Sequence, residues 1–190
     1  MTENQARELS KSPSKPVSLA KPIILVGLMG AGKSTVGRRL ASVLGVPFVD
    51  SDQEIVDAAG CGISDIFEAY GEAIFRDLEQ RVMLRLVTSP PCVIATGGGA
   101  FIQPAIREAV QQYGISVWLK ADLPVLLERV SRRDNRPLLK TGDKSEILQK
   151  LMDERYPIYA SADITIDSNF GPHDTVVEDI ITALRARNNI

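Results

Sequence analysis

One nine-residue stretch, GLMGAGKST at positions 27–35, constrains this chain more than any other part of it. Gly27, four residues, then Gly32, Lys33 and Ser34 satisfy the G-x-x-x-x-G-K-[ST] pattern of a phosphate-binding loop. An apolar run at 23–26 precedes it as a candidate strand, and a helical period begins at Lys33. That context is what the mechanism requires, because the helix N-terminus supplies amide N–H groups and positive potential. Glycines let the backbone wrap a phosphate, so the amides of Gly30, Ala31, Gly32, Lys33, Ser34 and Thr35 are the candidate cradle. Lys33 is placed to reach the β and γ oxygens of a nucleotide, and Ser34 to ligate Mg²⁺. The alternative is a glycine-rich turn with no ligand. Three glycines followed by Lys-Ser-Thr, between a strand and a helix, argue against it and predict binding of ATP with Mg²⁺.

Downstream, short apolar runs at 47–49, 92–95, 115–119 and 164–166 alternate with stretches of helical period. This pattern predicts an α/β fold of three layers, a five-stranded parallel sheet flanked by helices. Each run is too continuously apolar for a half-exposed strand. Val36, Leu40, Val43 and Leu44 mark a sheet-covering helix face, as do Phe75, Leu78 and Val82. Leu123, Leu126, Leu127 and Val130 mark another, and Val177, Ile180, Ile181 and Leu184 a last one. Residues 132–145, RRDNRPLLKTGDKS, are polar and basic with no apolar period, and read as a mobile lid. Residues 1–20 are polar with two prolines and read as a disordered extension, which leaves 21–190 as a single domain. Glu3 and Glu8 argue against a plastid transit peptide there.

The second candidate strand runs into Asp50, Ser51 and Asp52, two carboxylates on the strand edge where ligands bind in open α/β sheets. Either could simply cap the following helix. With a phosphate loop upstream, one acid suits the metal and the other an attacking hydroxyl, since phosphoryl transfer needs both. Arg76 is a solvated helix charge or a fork for a carboxylate, which Glu79 three residues on could hold in place. Gly97, Gly98 and Gly99 end the third strand in a turn that lets a ligand approach the backbone, Gly98 above all. Arg155, on its own, reads as a cation near a helix C-terminus.

With GLMGAGKST, DSD, GEAIFRDLE, ATGGG, RPLL and ERYPIY in that order, the chain resembles the shikimate kinases over roughly residues 21–185. The resemblance implies a sheet of the nucleoside-monophosphate-kinase type and transfer of the γ-phosphoryl group of MgATP to the 3-hydroxyl of shikimate. It matches Asp50 to the magnesium-side acid and Asp52 to the acid that grips the substrate hydroxyls and can act as base. Arg76 and Arg155 match the arginines that bind the substrate carboxylate, and Gly97, Gly98 and Gly99 the turn against which substrate lies. Arg136 matches the lid arginine that closes over the transferring phosphate, and Arg129 a residue that stacks on adenine. The adenine loop is expected near 169–173, where NFGPH departs from the family pattern.

Lys and Arg number 22 against 24 Asp and Glu, a net charge of -2, so no global field attracts nucleic acid. No apolar stretch approaches the roughly 20 residues a membrane span needs, and a cytoplasmic monomer is expected. Cys61 and Cys92 lack any metal or redox spacing and read as reduced structural thiols, Trp118 as core, and His173 as a surface loop residue without chemistry. Two rivals remain: another small-molecule kinase acting on gluconate or a nucleoside monophosphate, and a catalytically silent nucleotide-binding module. A silent relative would lack one of Lys33, Asp52, Arg76 or Arg136, and all four are present.

Overall fold

The computed structural model describes residues 19–132, 143–169, 171–187 and 190. The chain runs β1 (Ile23–Val26), α1 (Lys33–Leu44), β2 (Phe48–Asp50), α2 (Ser51–Ala59), α3 (Ile63–Val87), β3 (Val93–Ala95), a 3-10 turn (Ala100–Ile102), α4 (Pro104–Tyr113), β4 (Ile115–Lys120), α5 (Leu123–Ser131), α6 (Lys144–Tyr159), β5 (Ile164–Asp167) and α7 (His173–Ala186). All strand pairs are parallel, in the order β2-β3-β1-β4-β5. The five expected strands and the α/β class are therefore present. β1 is central, and the chain leaves it toward β2 on one side while β4 leads to β5 on the other. Such a divergence opens a crevice at the strands' carboxyl ends, where the phosphate loop lies.

All four residues of β1 are wholly buried. Each such side chain stabilises the fold by about 1.5–3 kcal/mol relative to exposure, which is why a continuous apolar run marks a central parallel strand. The edges differ from the sequence expectation. β2 is half-buried throughout and β5 alternates buried with exposed residues, because an edge strand has a neighbour on one side only.

Helix α1 shows what positional spacing conceals. Its buried residues are Val36, Gly37, Leu40, Ala41 and Leu44, whereas Val43, expected on the same face, is 61% exposed. Gly37 and Ala41 centre the contact: a methyl on Gly37 would stand 2.6 Å from the Phe48 ring and 3.1 Å from Leu25, so the helix seats directly on the sheet. That arc leaves Val43 just past its edge in the last turn.

Helix α3 is two helices joined at Gly71, whose backbone (φ 78, ψ 173) leaves the helical region that L-residues favour. Phe67 and Tyr70 before this break and Ile74 after it are exposed. Trp118 is core at 5% exposure, and Cys61 and Cys92 are both free thiols, as expected. Among the described residues no helix is long and apolar enough to cross a membrane.

Candidate active site

The phosphate loop owes its shape to three glycines in backbone conformations that L side chains rarely adopt, Gly27 (φ 137), Gly30 (φ 86) and Gly32 (φ 96). Gly32 is the N-cap of α1 and presents no capping side chain, which leaves the helix's first N–H groups facing the loop. The Lys33 ammonium lies across the loop and donates to the carbonyls of Gly27 (2.7 Å) and Leu28 (2.9 Å). Ser34 Oγ donates to Asp50 Oδ2 at 2.9 Å, so the end of β2 meets the start of α1.

Asp50 caps the following helix and also meets the phosphate loop. Its Oδ1 accepts from the Asp52 amide at 3.2 Å and caps α2, while its Oδ2 holds Ser34. A carboxylate and a hydroxyl beside a phosphate loop form a hard-oxygen donor set suited to Mg²⁺, which takes one or two protein ligands with substrate phosphates and water completing its shell. Among the described residues there is no cluster of three or more His, Cys, Asp or Glu that would make a dedicated protein cage.

The second half of the site is gathered on the triple-glycine turn. A methyl on Gly97 would stand 2.6 Å from Asp52 Oδ1 and 3.1 Å from Glu79 Oε1, and one on Gly99 would stand 2.5 Å from Arg76 Nη1. A methyl on Gly98 would stand 3.7 Å from both Arg155 Nη1 and the Met29 amide nitrogen and 3.8 Å from the Gly27 carbonyl oxygen of the phosphate loop. The glycines thus let two acids and two arginines of this chain crowd one turn, and Gly98 brings that cluster against the nucleotide-side loop. Arg155 Nη1 donates to the Gly98 carbonyl at 3.0 Å, and the buried Tyr159 hydroxyl donates to the same oxygen. Arg155 is outside the last turn of α6 and faces this turn, so it does not serve as a helix C-terminal cation. Burial pushes the Tyr159 phenol up to about 12, which keeps it a donor.

Arg76 is braced rather than solvated. Its Nη1 donates to Glu79 at 2.7 Å, and its Nε and Nη2 donate to Glu72 at 3.2 and 3.1 Å. Burial opposes the guanidinium charge, but the bonds to Glu79 and Glu72 outweigh it and hold the pKa above its ordinary value. Glu79 is 1% exposed. Burial raises its pKa, the Arg76 contacts pull it partly back, and the nearby Asp52 charge adds to the rise.

Three further residues escaped the sequence. Gln103 Nε2 donates to Glu79 at 2.8 Å, Ser51 Oγ accepts from the Gly97 amide at 3.0 Å, and Ser168 Oγ donates to the Ala31 carbonyl at 2.9 Å. Ser51 is wholly buried between the two aspartates and fastens their segment to the glycine turn. On the nucleotide side Arg129 donates to the carbonyls of Gly30 (3.4 Å) and Asn169 (3.2 Å), bridging the phosphate loop to the β5–α7 connection. His173 opens α7 against Gly32 and is not a remote surface residue. Thr35 sits half-buried in the first turn of α1. Arg136 and most of the expected lid lie outside the described residues, as does nearly all of the expected extension.

Residues 29–185 match the family described as Shikimate kinase. The chain belongs to the shikimate kinase family. A shikimate kinase of Paramagnetospirillum magneticum is 52% identical over 189 residues, covering 97% of each chain. One of Caulobacter vibrioides is 54% identical over 166 residues, 87% of this chain and 83% of the relative. The solved structure of shikimate kinase from Acinetobacter baumannii in complex with shikimate superposes with a TM-score of 0.85 at 41% identity, covering 90% of this chain and 96% of that one. Family membership makes the chain an ATP-dependent phosphotransferase of the shikimate kinase type.

Proposed function

We propose that this chain transfers the γ-phosphoryl group of MgATP to the 3-hydroxyl of shikimate, with the glycine turn at Gly97–Gly98–Gly99 as the meeting point of the two substrates. The observation that carries this is the convergence of Asp52, Arg76 and Arg155 on a turn where a side chain on the middle glycine would begin within 3.8 Å of the Met29 amide and Gly27 carbonyl of the phosphate loop. A carboxylate between fixed guanidiniums is the acceptor such a site selects, because each planar fork offers parallel donors to its two oxygens.

In this mechanism the loop amides and Lys33 hold the β- and γ-phosphates, and Arg129 flanks the nucleotide. Ser34 and Asp50 would hold Mg²⁺, which supplies neutralisation of the phosphate charge. Arg76 and Arg155 anchor the acid's carboxylate and so set where its ring hydroxyls fall. Glu79 and Gln103 keep Arg76 in one rotamer. Asp52 orients the attacking hydroxyl and accepts its proton as the phosphorus–oxygen bond forms and the bridging bond to ADP breaks. Arg136 is proposed to add positive charge over the transferring group. Positioning and electrostatics account for nearly all catalysis in this reaction class, so the braced arginines matter as much as the base.

The proposed mechanism requires no group from a second chain, and a monomer is the proposed state. The balanced net charge and the lack of a membrane-length helix among the described residues support a cytoplasmic enzyme without nucleic-acid partners. The test is product identity: phosphorus-coupled proton NMR of the product formed from MgATP and shikimate should show coupling at ring position 3. Coupling at another position would cancel the assigned orientation of the acceptor.

A further inference from the structure

His173 is the single histidine of the chain, and the fold gives it a place its loop position did not suggest. It is the first residue of α7, after Pro172 at the cap. Its imidazole Cε1 lies 3.7 Å from the point where a side chain on Gly32 would begin, and Ser168 Oγ lies 3.8 Å from that same point. Ser168 in turn bonds the Ala31 carbonyl. The β5–α7 connection is therefore fastened to the phosphate loop through Ala31, with the imidazole facing the open side of Gly32.

The charged groups around this imidazole come from three elements. Arg39 acts on it from α1 and Arg129 from α5, while Asp174 on α7 itself opposes them. Asp174 is engaged by Arg39 at 2.6 Å, which weakens its help to a protonated imidazole. Burial first, and then Arg129 and Arg39, hold the His173 pKa below its usual value. Two cations beside a neutral imidazole, next to a loop built for a polyphosphate, form a balance that several negative charges arriving together would reverse.

We propose that His173 is a nucleotide-side residue of this site, an imidazole wall beside Gly32 that takes up a proton from solvent when the nucleotide seats in the phosphate loop. This rests on the reading that the loop binds MgATP and MgADP. A nearby anion of this kind raises the pKa of a half-buried imidazole by about 1. The complex then holds the proton more tightly than the free protein does, so nucleotide affinity gains as pH falls from the pKa of the complex to that of the free chain. A pKa higher by about 1 in the complex corresponds to about tenfold in affinity between the two plateaus.

Because the untagged chain carries one histidine, it gives one imidazole Hε1 signal, which can be titrated by NMR without and with saturating MgADP. Saturation is set independently by calorimetry. The expected result is a pKa below the usual histidine value in the free protein, rising by about 1 with MgADP. Calorimetry near pH 6.5, in buffers of different ionisation enthalpy, should report proton uptake that His173→Gln abolishes while MgADP still binds. MgADP binding with an unmoved or lowered His173 pKa would overturn the proposal. If MgADP gave no binding heat at all, the nucleotide reading would fall and this inference with it.

Discussion

Replacing Gly97 with alanine separates a glycine needed for its backbone from one needed for its missing side chain. Gly97 is not among the positive-φ glycines, so alanine there carries no conformational penalty. The added methyl would stand 2.6 Å from Asp52 Oδ1 and 3.1 Å from Glu79 Oε1. Contacting atoms settle at about 3.5 Å, so the Asp52 carboxylate must retreat by roughly 1 Å. A displacement of that size in a positioned group costs about a hundredfold in rate, equivalent to about 2.7 kcal/mol of barrier. Initial rates of ADP formation with saturating MgATP and varied shikimate should show kcat/KM down by about this factor, with MgADP affinity within about twofold of wild type. An unchanged kcat/KM in Gly97→Ala would refute the claim that this turn places Asp52.

Asp50→Asn retains a good helix cap but loses the ionised oxygen at Ser34, so the Mg²⁺ concentration for half-maximal rate should rise about tenfold or more with little change in thermal stability. Arg136→Ala should bind MgADP nearly normally and lose about a thousandfold in kcat; single-turnover rates beside calorimetry would check both halves. Glu79 has its folded pKa raised by burial, so its stabilising contribution is complete below the unfolded value near 4.5 and fades as pH rises through the folded value. The stability lead of wild type over Glu79→Gln should therefore narrow from pH 4.5 toward neutrality in urea unfolding; a lead that widens would contradict the assignment.

The central sheet was legible because β1, β3 and all of β4 before its terminal Lys120 are buried, and those buried stretches held no polar residue except Ser116. That serine is buried too, held by the Asp163 carboxylate at 2.6 Å. The edge strands misled, since Ile164 and Ile166 face inward while the intervening Thr165 does not. Pattern alone placed Val43 on the sheet side of α1, because the small residues Gly37 and Ala41 that define the true contact give no hydrophobic signal. In the site, the phosphate loop announced itself through glycine spacing and the DSD through its place after a strand, while Arg76 and Arg155 stood out only through the resemblance to the shikimate kinases. Glu79 had a signal of its own: it falls four residues after Phe75 and three before Val82, both buried, so an acid there must face inward. Gln103, Ser51 and His173 had none, because their neighbours are supplied by other elements and come together only when α4, α2 and α7 pack around the strand ends.

Acceptor choice by the purified full chain tests the assigned activity most directly, read as MgATP-dependent ADP release with shikimate, gluconate, AMP or no acceptor in parallel. The expected result is turnover that depends on shikimate and is at background with the other three. Equal or faster turnover with gluconate or AMP would contradict the assignment of Arg76 and Arg155 to a shikimate carboxylate, and no turnover with any acceptor would leave a nucleotide-binding module in place of a kinase.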